Sequence, residues 1–263
     1  MSKNKELEKF YQRVYLKGEK KHFTSFITTG TTSTEAKEVI KEMNWKGKTV
    51  LDVGCGTGNF AKAVAKKGAK KVLGIDYAEE AIRIAEKNHD QKNLKYKKLD
   101  VHDINEKFDV IVSIGTIEHM DDPMKTIKKL KKCLNKKGKI ILTTPNWTNP
   151  RGYVLMTLFF LFKAPITLAD LHYLTPNEHL KFAKAVNMNL KWKTIEESWG
   201  NGKIMIKDFE RRIPNVMRDI GQKVDKNQIK LFLKWLNDNV SEMNNSLPQN
   251  GAIGLYVYSK KSN

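Results

Sequence analysis

The stretch Thr49-Val50-Leu51-Asp52-Val53-Gly54-Cys55-Gly56-Thr57-Gly58 decides the fold. Its first half is β-branched and apolar, which predicts a buried strand; the strand must stop at the glycines. Glycines at such a turn let the backbone approach a ligand closely and present amide N–H groups to it. The residues after the turn carry Phe60, Ala61, Val64 and Ala65 on one helical face and end at Gly68, a helix stop. Working outward, KKVLGID reads as a second strand ending at Asp76, followed by a helix from about Glu79 to Asn88. LKYKKLD and FDVIVSIG read as the third and fourth strands, Pro123 to Leu134 as a helix opened by Asp121-Asp122-Pro123, and GKIILTTP as the fifth strand. Strand–helix alternation of this kind predicts an α/β fold, a doubly wound and mostly parallel sheet with helices on both faces. Ligands of such sheets bind just beyond the carboxyl ends of the strands.

Residues 1–40 are helical in flavour and are read as an N-terminal cap segment, 41–150 as the α/β core, and 151–263 as cap helices plus two last strands of the same domain. The last strand is GAIGLYVYSKK, and the stretch of residues 200–221 before it is long, holding Asp208, Glu210, Arg211 and Arg212. It reads as a substrate lid or an oligomer contact; the sequence gives no oligomeric state. The longest apolar run, Tyr153 to Phe162, is about half the ~20 residues a spanning helix needs. It is expected to be a buried helix packing the cap, with a greasy wall for a lipid or prenyl acceptor and an interfacial membrane helix as the open alternatives. No apolar leader follows the charges of MSKNKELEKF, and two cysteines, Cys55 and Cys133, make no disulfide framework, so a cytoplasmic protein is expected.

The chain of 263 residues has a formal net charge of +19, which raises nucleic acid or an anionic membrane as partners. Its 48 basic residues include only 6 Arg, the side chain that reads bases and grips phosphates in a fork. The lysines are spread along the chain. In the densest cluster, Lys125 to Lys139, the apolar Ile127, Leu130, Cys133 and Leu134 fall at helical spacing, leaving lysines on the solvated side. A lysine-rich surface is therefore the reading taken; nucleic acid is not assigned as a partner, and peripheral contact with an anionic membrane stays open.

Asp76 closes the second strand 22 residues beyond Gly54, where a carboxylate can accept from both hydroxyls of an adenosine ribose. A dinucleotide site would have G-x-G-x-x-G, with glycine where this chain has Asn59, and no G-K-[ST] marks a P-loop. Asp52, inside the strand, would repel a pyrophosphate and suits a cofactor bearing an ammonium group. VLDVGCGTG together with GID resembles class I S-adenosylmethionine-dependent methyltransferases. That resemblance implies a Rossmann-like methyltransferase fold with a seven-stranded sheet and a helical cap. It implies that Gly54, Cys55, Gly56 and the Asp52 neighbourhood hold the methionine part and that Asp76 takes the ribose. Tyr77 would flank the adenine, Asp100 accept from its amino group, the Val101 amide face a ring nitrogen, and Ile114 line the sulfonium end.

After the fourth strand, Glu118-His119-Met120-Asp121-Asp122-Pro123 resembles the small-molecule branch that includes ubiquinone-biosynthesis O-methyltransferases. The branch's E-x-x-E-H segment can bind a divalent metal, but Gly115 stands where its first Glu would be, and no metal is assigned. His119 is the candidate base for a hydroxyl or amine, with Glu118 near the acceptor. Asp170-Leu171-His172-Tyr173-Leu174-Thr175-Pro176 resembles the stretch before a late helix in these enzymes, which makes His172 a second candidate base and Tyr173 a substrate contact. Trp147, after the fifth strand, would shape the acceptor pocket, and Tyr11, Tyr15 and His22 would close over the cofactor carboxylate. The implied function is methyl transfer to oxygen or nitrogen of a small molecule such as a sugar, glycan precursor or quinone-like phenol. The rivals are an RNA or protein methyltransferase and a non-catalytic nucleotide-binding module.

Overall fold

The computed structural model describes residues 32–88, 91–164, 166–167, 170–200, 202–241 and 250–261. Tyr11, Tyr15 and His22 lie outside them. Helix α1 (Thr34–Lys41) is N-capped by Ser33, whose hydroxyl accepts from the Ala36 amide at 3.1 Å. Then come β1 (Thr49–Val53), α2 (Asn59–Lys66), β2 (Lys71–Asp76), α3 (Glu79–Asn88), β3 (Leu94–Lys98), β4 (Phe108–Ile114), α4 (Pro123–Lys132) and β5 (Leu134–Pro145). After these follow α5 (Pro150–Phe162), α6 (Pro176–Ala185), β6 (Met188–Ile195), the short α7 (Glu197–Gly200), α8 (Lys203–Asp219), α9 (Lys226–Leu236) and β7 (Ile253–Lys260).

The seven strands form one sheet in the order β3-β2-β1-β4-β5-β7-β6. The pairings β1–β2, β1–β4, β2–β3 and β4–β5 are all parallel, and the central β1, β2 and β4 are buried along nearly their whole length. Strand order reverses at β1, which has β2 on one side and β4 on the other, and this is where an open α/β sheet leaves its ligand crevice. Helix α4 starts as its sequence predicts: Asp122 accepts from the Lys125 amide at 2.8 Å and Pro123 takes the first turn. Its end differs from expectation. Leu134, expected in the helix, begins β5 opposite Phe108, and a register irregularity between Phe108 and Val110 absorbs the extra residues. The helical spacing of Ile127, Leu130, Cys133 and Leu134 is real burial, but the last of the four is reached on a strand.

The chain divides into two compact units. The first runs to Thr143 and takes in Leu180–Lys191 and the chain from Tyr256 on; the second holds Thr144–His179 and Trp192–Leu255. The second unit has its own apolar core. Helix α8 sends Met205, Phe209, Ile213 and Val216 inward at helical spacing, to meet Trp147, Leu155, Ala164 and Ile166. Within this core Asp208 is almost wholly buried and is held by Arg151 Nε at 3.2 Å and Arg212 Nε at 3.0 Å. The long insertion is thus the structural centre of its unit.

The expectation for the Tyr153–Phe162 run is corrected. It does form a helix, α5, capped by the Asn149 side chain at the Gly152 amide. Only Gly152 and Leu155 of it are buried, while Tyr153, Phe160, Leu161 and Phe162 are exposed. A helix apolar on every side would be stabilised by burying every side, yet here the core of the unit covers just one.

Candidate active site

Every described residue assigned to the cofactor stands at or just beyond the carboxyl end of β1, β2, β3 or β4, and all of these lie in the first unit. Asp52 stands next to last in β1, in register with Gly74 of β2 and Val112 of β4. The chain then bends at Gly54, whose φ of +72° favours glycine, and a side-chain carbon placed there would overlap the Thr116 side chain. The bend is therefore packed directly against the loop that follows β4.

One expectation about this bend is overturned. Four of its amides are already engaged within the protein. Gly54 and Cys55 both donate to the Ile75 carbonyl, at 2.8 and 3.0 Å, Gly56 donates to Asp76 Oδ2 at 3.0 Å, and Gly58 to the Cys55 carbonyl at 2.9 Å. The glycines supply close approach, not a cradle of donors. A pyrophosphate needs such donors and finds two carboxylates instead.

Those carboxylates define the site's electrostatics. Asp52 is buried, and its Oδ2 has no hydrogen-bond partner among the described residues. Burial, reinforced by the charge of Asp76, pushes its pKa up to about 8. Burial also raises Asp76, against the opposing hydrogen bonds from the Ala78 and Gly56 amides. Burial, with Asp52 and Asp76 beside it, raises the Cys55 thiol, so that sulfur is no nucleophile at neutral pH. Two buried carboxylates that resist ionising together are a well for a cation, and an orphaned carboxylate oxygen is a place for its donors. Asp76 accepts from the backbone amides of Ala78, Gly56 and Tyr77, which leaves part of its roughly four lone-pair sites for a hydroxyl donor. These residues fit S-adenosylmethionine, a cationic sulfonium carrying an ammonium group and a ribose diol.

The remaining positions are arranged along the same edge. Tyr77 follows Asp76 and is half-buried. Asp100 caps a single turn, Val101–Asp103, by accepting from the His102 amide at 2.8 Å, and is exposed, while Val101 is buried. Ile114 is half-buried at the end of β4. Gly115 follows with φ of +55°, a conformation a glutamate at this position would be strained to hold. Ile117–His119 form one tight turn in which Glu118 is buried and His119 half-buried.

His172, Tyr173 and Trp147 belong to the second unit. Trp147 and Tyr173 meet edge to face with ring centroids 5.1 Å apart, and Tyr173 also meets Phe159 at 4.6 Å. The Trp147 indole N–H is buried without a hydrogen-bond partner among the described residues. His172 is half-buried. Asp170, near Arg151, has its pKa raised by burial to about 6. In α6 the His179 imidazole, 3.3 Å from the Thr144 hydroxyl, is buried and pushed down to about 3, so it stays neutral. Sequence reasoning missed Thr116 as the backing of the glycine bend and Arg151 as a partner of Asp208. Neither has a local signal, since each partner is more than fifty residues away.

The methyltransferase-domain family matches residues 31–194, well over half of the chain, and the chain belongs to it. The domain is that of an S-adenosylmethionine-dependent methyltransferase. A ubiquinone biosynthesis O-methyltransferase of Coxiella burnetii is 37% identical over 116 residues, which are 42% of this chain and 49% of that protein. The protein of the same name from Acinetobacter baylyi is 30% identical over 156 residues, 55% of this chain and 65% of the relative. The chain thus spans about half to two thirds of the length of these curated relatives. An S-adenosylmethionine-dependent methyltransferase structure from Thermotoga maritima shares the fold over 97% of this chain and 98% of its own, with a TM-score of 0.57 and 17% identity. No described helix is long and apolar enough to cross a membrane.

Proposed function

We propose that the protein methylates an oxygen or nitrogen of a small-molecule acceptor, a hydroxyl before an amine, with His119 as the base. The observation that carries this reading is the packing of Thr116 against Gly54. It ties the Glu118–His119 turn to the bend that the cofactor's methionine part would occupy. S-adenosylmethionine supplies a methyl group on a sulfonium, ready for in-line displacement. The chain has then to align the acceptor and accept its proton.

His119 would take the acceptor proton on its imidazole, and Glu118, buried beside it, would hold the turn in place. Trp147, with its unspent indole N–H, and Tyr173 would shape the acceptor pocket. The hydroxyl preference rests on the curated relatives named for ubiquinone O-methylation, and a quinone-like phenol is the first acceptor to try. With so few arginines, RNA methylation has only the net charge in its favour.

The test is methyl transfer from labelled S-adenosylmethionine to a panel of catechols, sugars and amines, run with the native protein and His119→Ala. Transfer to a phenol that falls at least about tenfold in kcat in the variant, with cofactor affinity unchanged, is the expected result. Full activity in His119→Ala would remove the base from the mechanism. Labelling of RNA alone would remove the acceptor.

A further inference from the structure

Ten large apolar side chains are exposed among the described residues, and seven of them stand on two helices of the second unit. Tyr153, Phe160, Leu161 and Phe162 are on α5; Leu231, Phe232 and Trp235 are on α9. Leu161 is 72% exposed and Trp235 57%. The two stripes are joined by an apolar groove of about 420 Å³, lined by Val154, Thr157 and Leu158 of α5, Ile213 and Met217 of α8, and Ile229 and Phe232 of α9, among others. Thr157 lies on the α5 stripe and Phe232 on the α9 stripe, so the groove and both stripes make one surface.

On the two helices that carry the stripes, the charged side chains are all basic. Neither α5 nor α9 contains an acidic residue. Lys226, Lys230 and Lys234 recur at every fourth position of α9, beside the stripe formed by Leu231 and Trp235, and Lys223 and Lys163 adjoin the two helices. The acidic groups nearest the stripes are the α9 cap, Asp225, and Asp238 just beyond its end, which pairs with Lys234 at 2.5 Å; on α8, Glu210 and Asp219 are exposed, and Asp219 pairs with Arg218.

We propose that this face docks the protein on the surface of an anionic lipid bilayer, with the aromatic and leucine side chains of α5 and α9 inserted among the headgroups and the lysines meeting lipid phosphates. Aromatic rings and leucines framed by lysines are the chemistry of an interfacial helix, which buries its apolar face about 5–10 Å deep. Spanning is out of reach: the 13 residues of α5 are about 20 Å long, against a hydrocarbon core of about 30 Å. A second copy of the chain is a poorer occupant, because two lysine-framed faces repel on meeting. A small ligand held in the groove would leave Leu161 and Trp235, which do not line it, in water. Only a broad apolar and anionic surface covers all of these groups together. The proposal does not depend on which acceptor is methylated.

The test is flotation of the full chain with phosphatidylcholine vesicles carrying about a quarter phosphatidylglycerol, against phosphatidylcholine alone. The native protein should float with the anionic vesicles and release as salt rises. The double variant Leu161→Glu with Trp235→Glu should lose at least about tenfold in partitioning, while its affinity for S-adenosylmethionine stays unchanged. That unchanged affinity shows that the variant is folded and keeps this test separate from the methyltransferase reading. In the native protein, amide exchange in α5 and α9 should slow on anionic vesicles, a readout that needs no variant. Absence of flotation, equal flotation of native and variant protein, or a native dimer that the double variant breaks while neither floats would each overturn the proposal.

Discussion

Asp52 shows how one buried side chain can set the behaviour of a whole site. Its carboxyl titrates near pH 8 because burial and the neighbouring Asp76 both disfavour the charged form. At neutral pH it is largely protonated, yet a cationic cofactor is attracted only to the carboxylate. Binding must therefore release a proton, and cofactor affinity should rise with pH until the carboxyl is ionised, near pH 8. Calorimetric titration of S-adenosylmethionine in buffers of different ionisation enthalpy checks both statements. Asp52→Asn should bind more weakly and lose the pH slope; an unchanged slope would place the titrating group elsewhere. The sequence put an acidic residue in this strand and an acceptor at Asp76. It could not show that the amides of Gly54, Cys55 and Gly56 are spent within the protein, because their acceptors, Ile75 and Asp76, come from the next strand.

Among the elements, legibility followed the range of the signal. β1, β2, β4 and the start of α4 were readable because a strand buried on both faces is a short apolar run, and a helix start capped by Asp122 before Pro123 is a local signal. The start of β5 was not, because Leu134 satisfies a helical and a strand pattern equally and only its pairing with Phe108 decides between them. The exposed side of α5 was unreadable for a related reason. A run apolar all round does not say which side its neighbours cover, and those neighbours, Met205 and Phe209, lie some fifty residues on. The bend between β1 and α2 carries a prediction at this scale. Gly54→Ala adds a carbon where Thr116 already stands and forces a left-handed residue, so it should destabilise the protein by about 1–3 kcal/mol. It should also weaken cofactor binding by displacing the loop, which thermal unfolding with and without S-adenosylmethionine would measure. Native stability in this variant would mean that the bend and the 114–119 loop are further apart than described.

In the molecule as a whole, Asp52 of the first unit and Asp208 of the second respond to pH in opposite directions. Asp52 has a folded pKa near 8 against an ordinary value near 4, so the stability it permits at low pH is lost as pH rises from about 4 to 8. Asp208 is the reverse. Burial pushes its pKa up, but Arg151 and Arg212 outweigh that and hold it below the usual carboxylate range. Its contribution is present above about pH 4 and is lost as pH falls through the lowered value. Acid should thus relieve Asp52 in the first unit and loosen the Asp208 cluster in the second. Asp208→Ala reproduces that loosening at neutral pH, since it strands the nearly buried Arg151 beside Arg212 with no carboxylate between them. Breaking such a buried pair costs about 3–5 kcal/mol. In hydrogen exchange, peptides from α5, α8 and α9 should exchange faster in the variant at pH 7, while those from β1 and β2 keep their protection. Native protein taken down in pH below the usual carboxylate range should show the same order, because Asp208 loses its charge as pH falls through its lowered value. Equal acceleration of both sets would mean that the Asp208 cluster supports the entire fold and not the second unit alone.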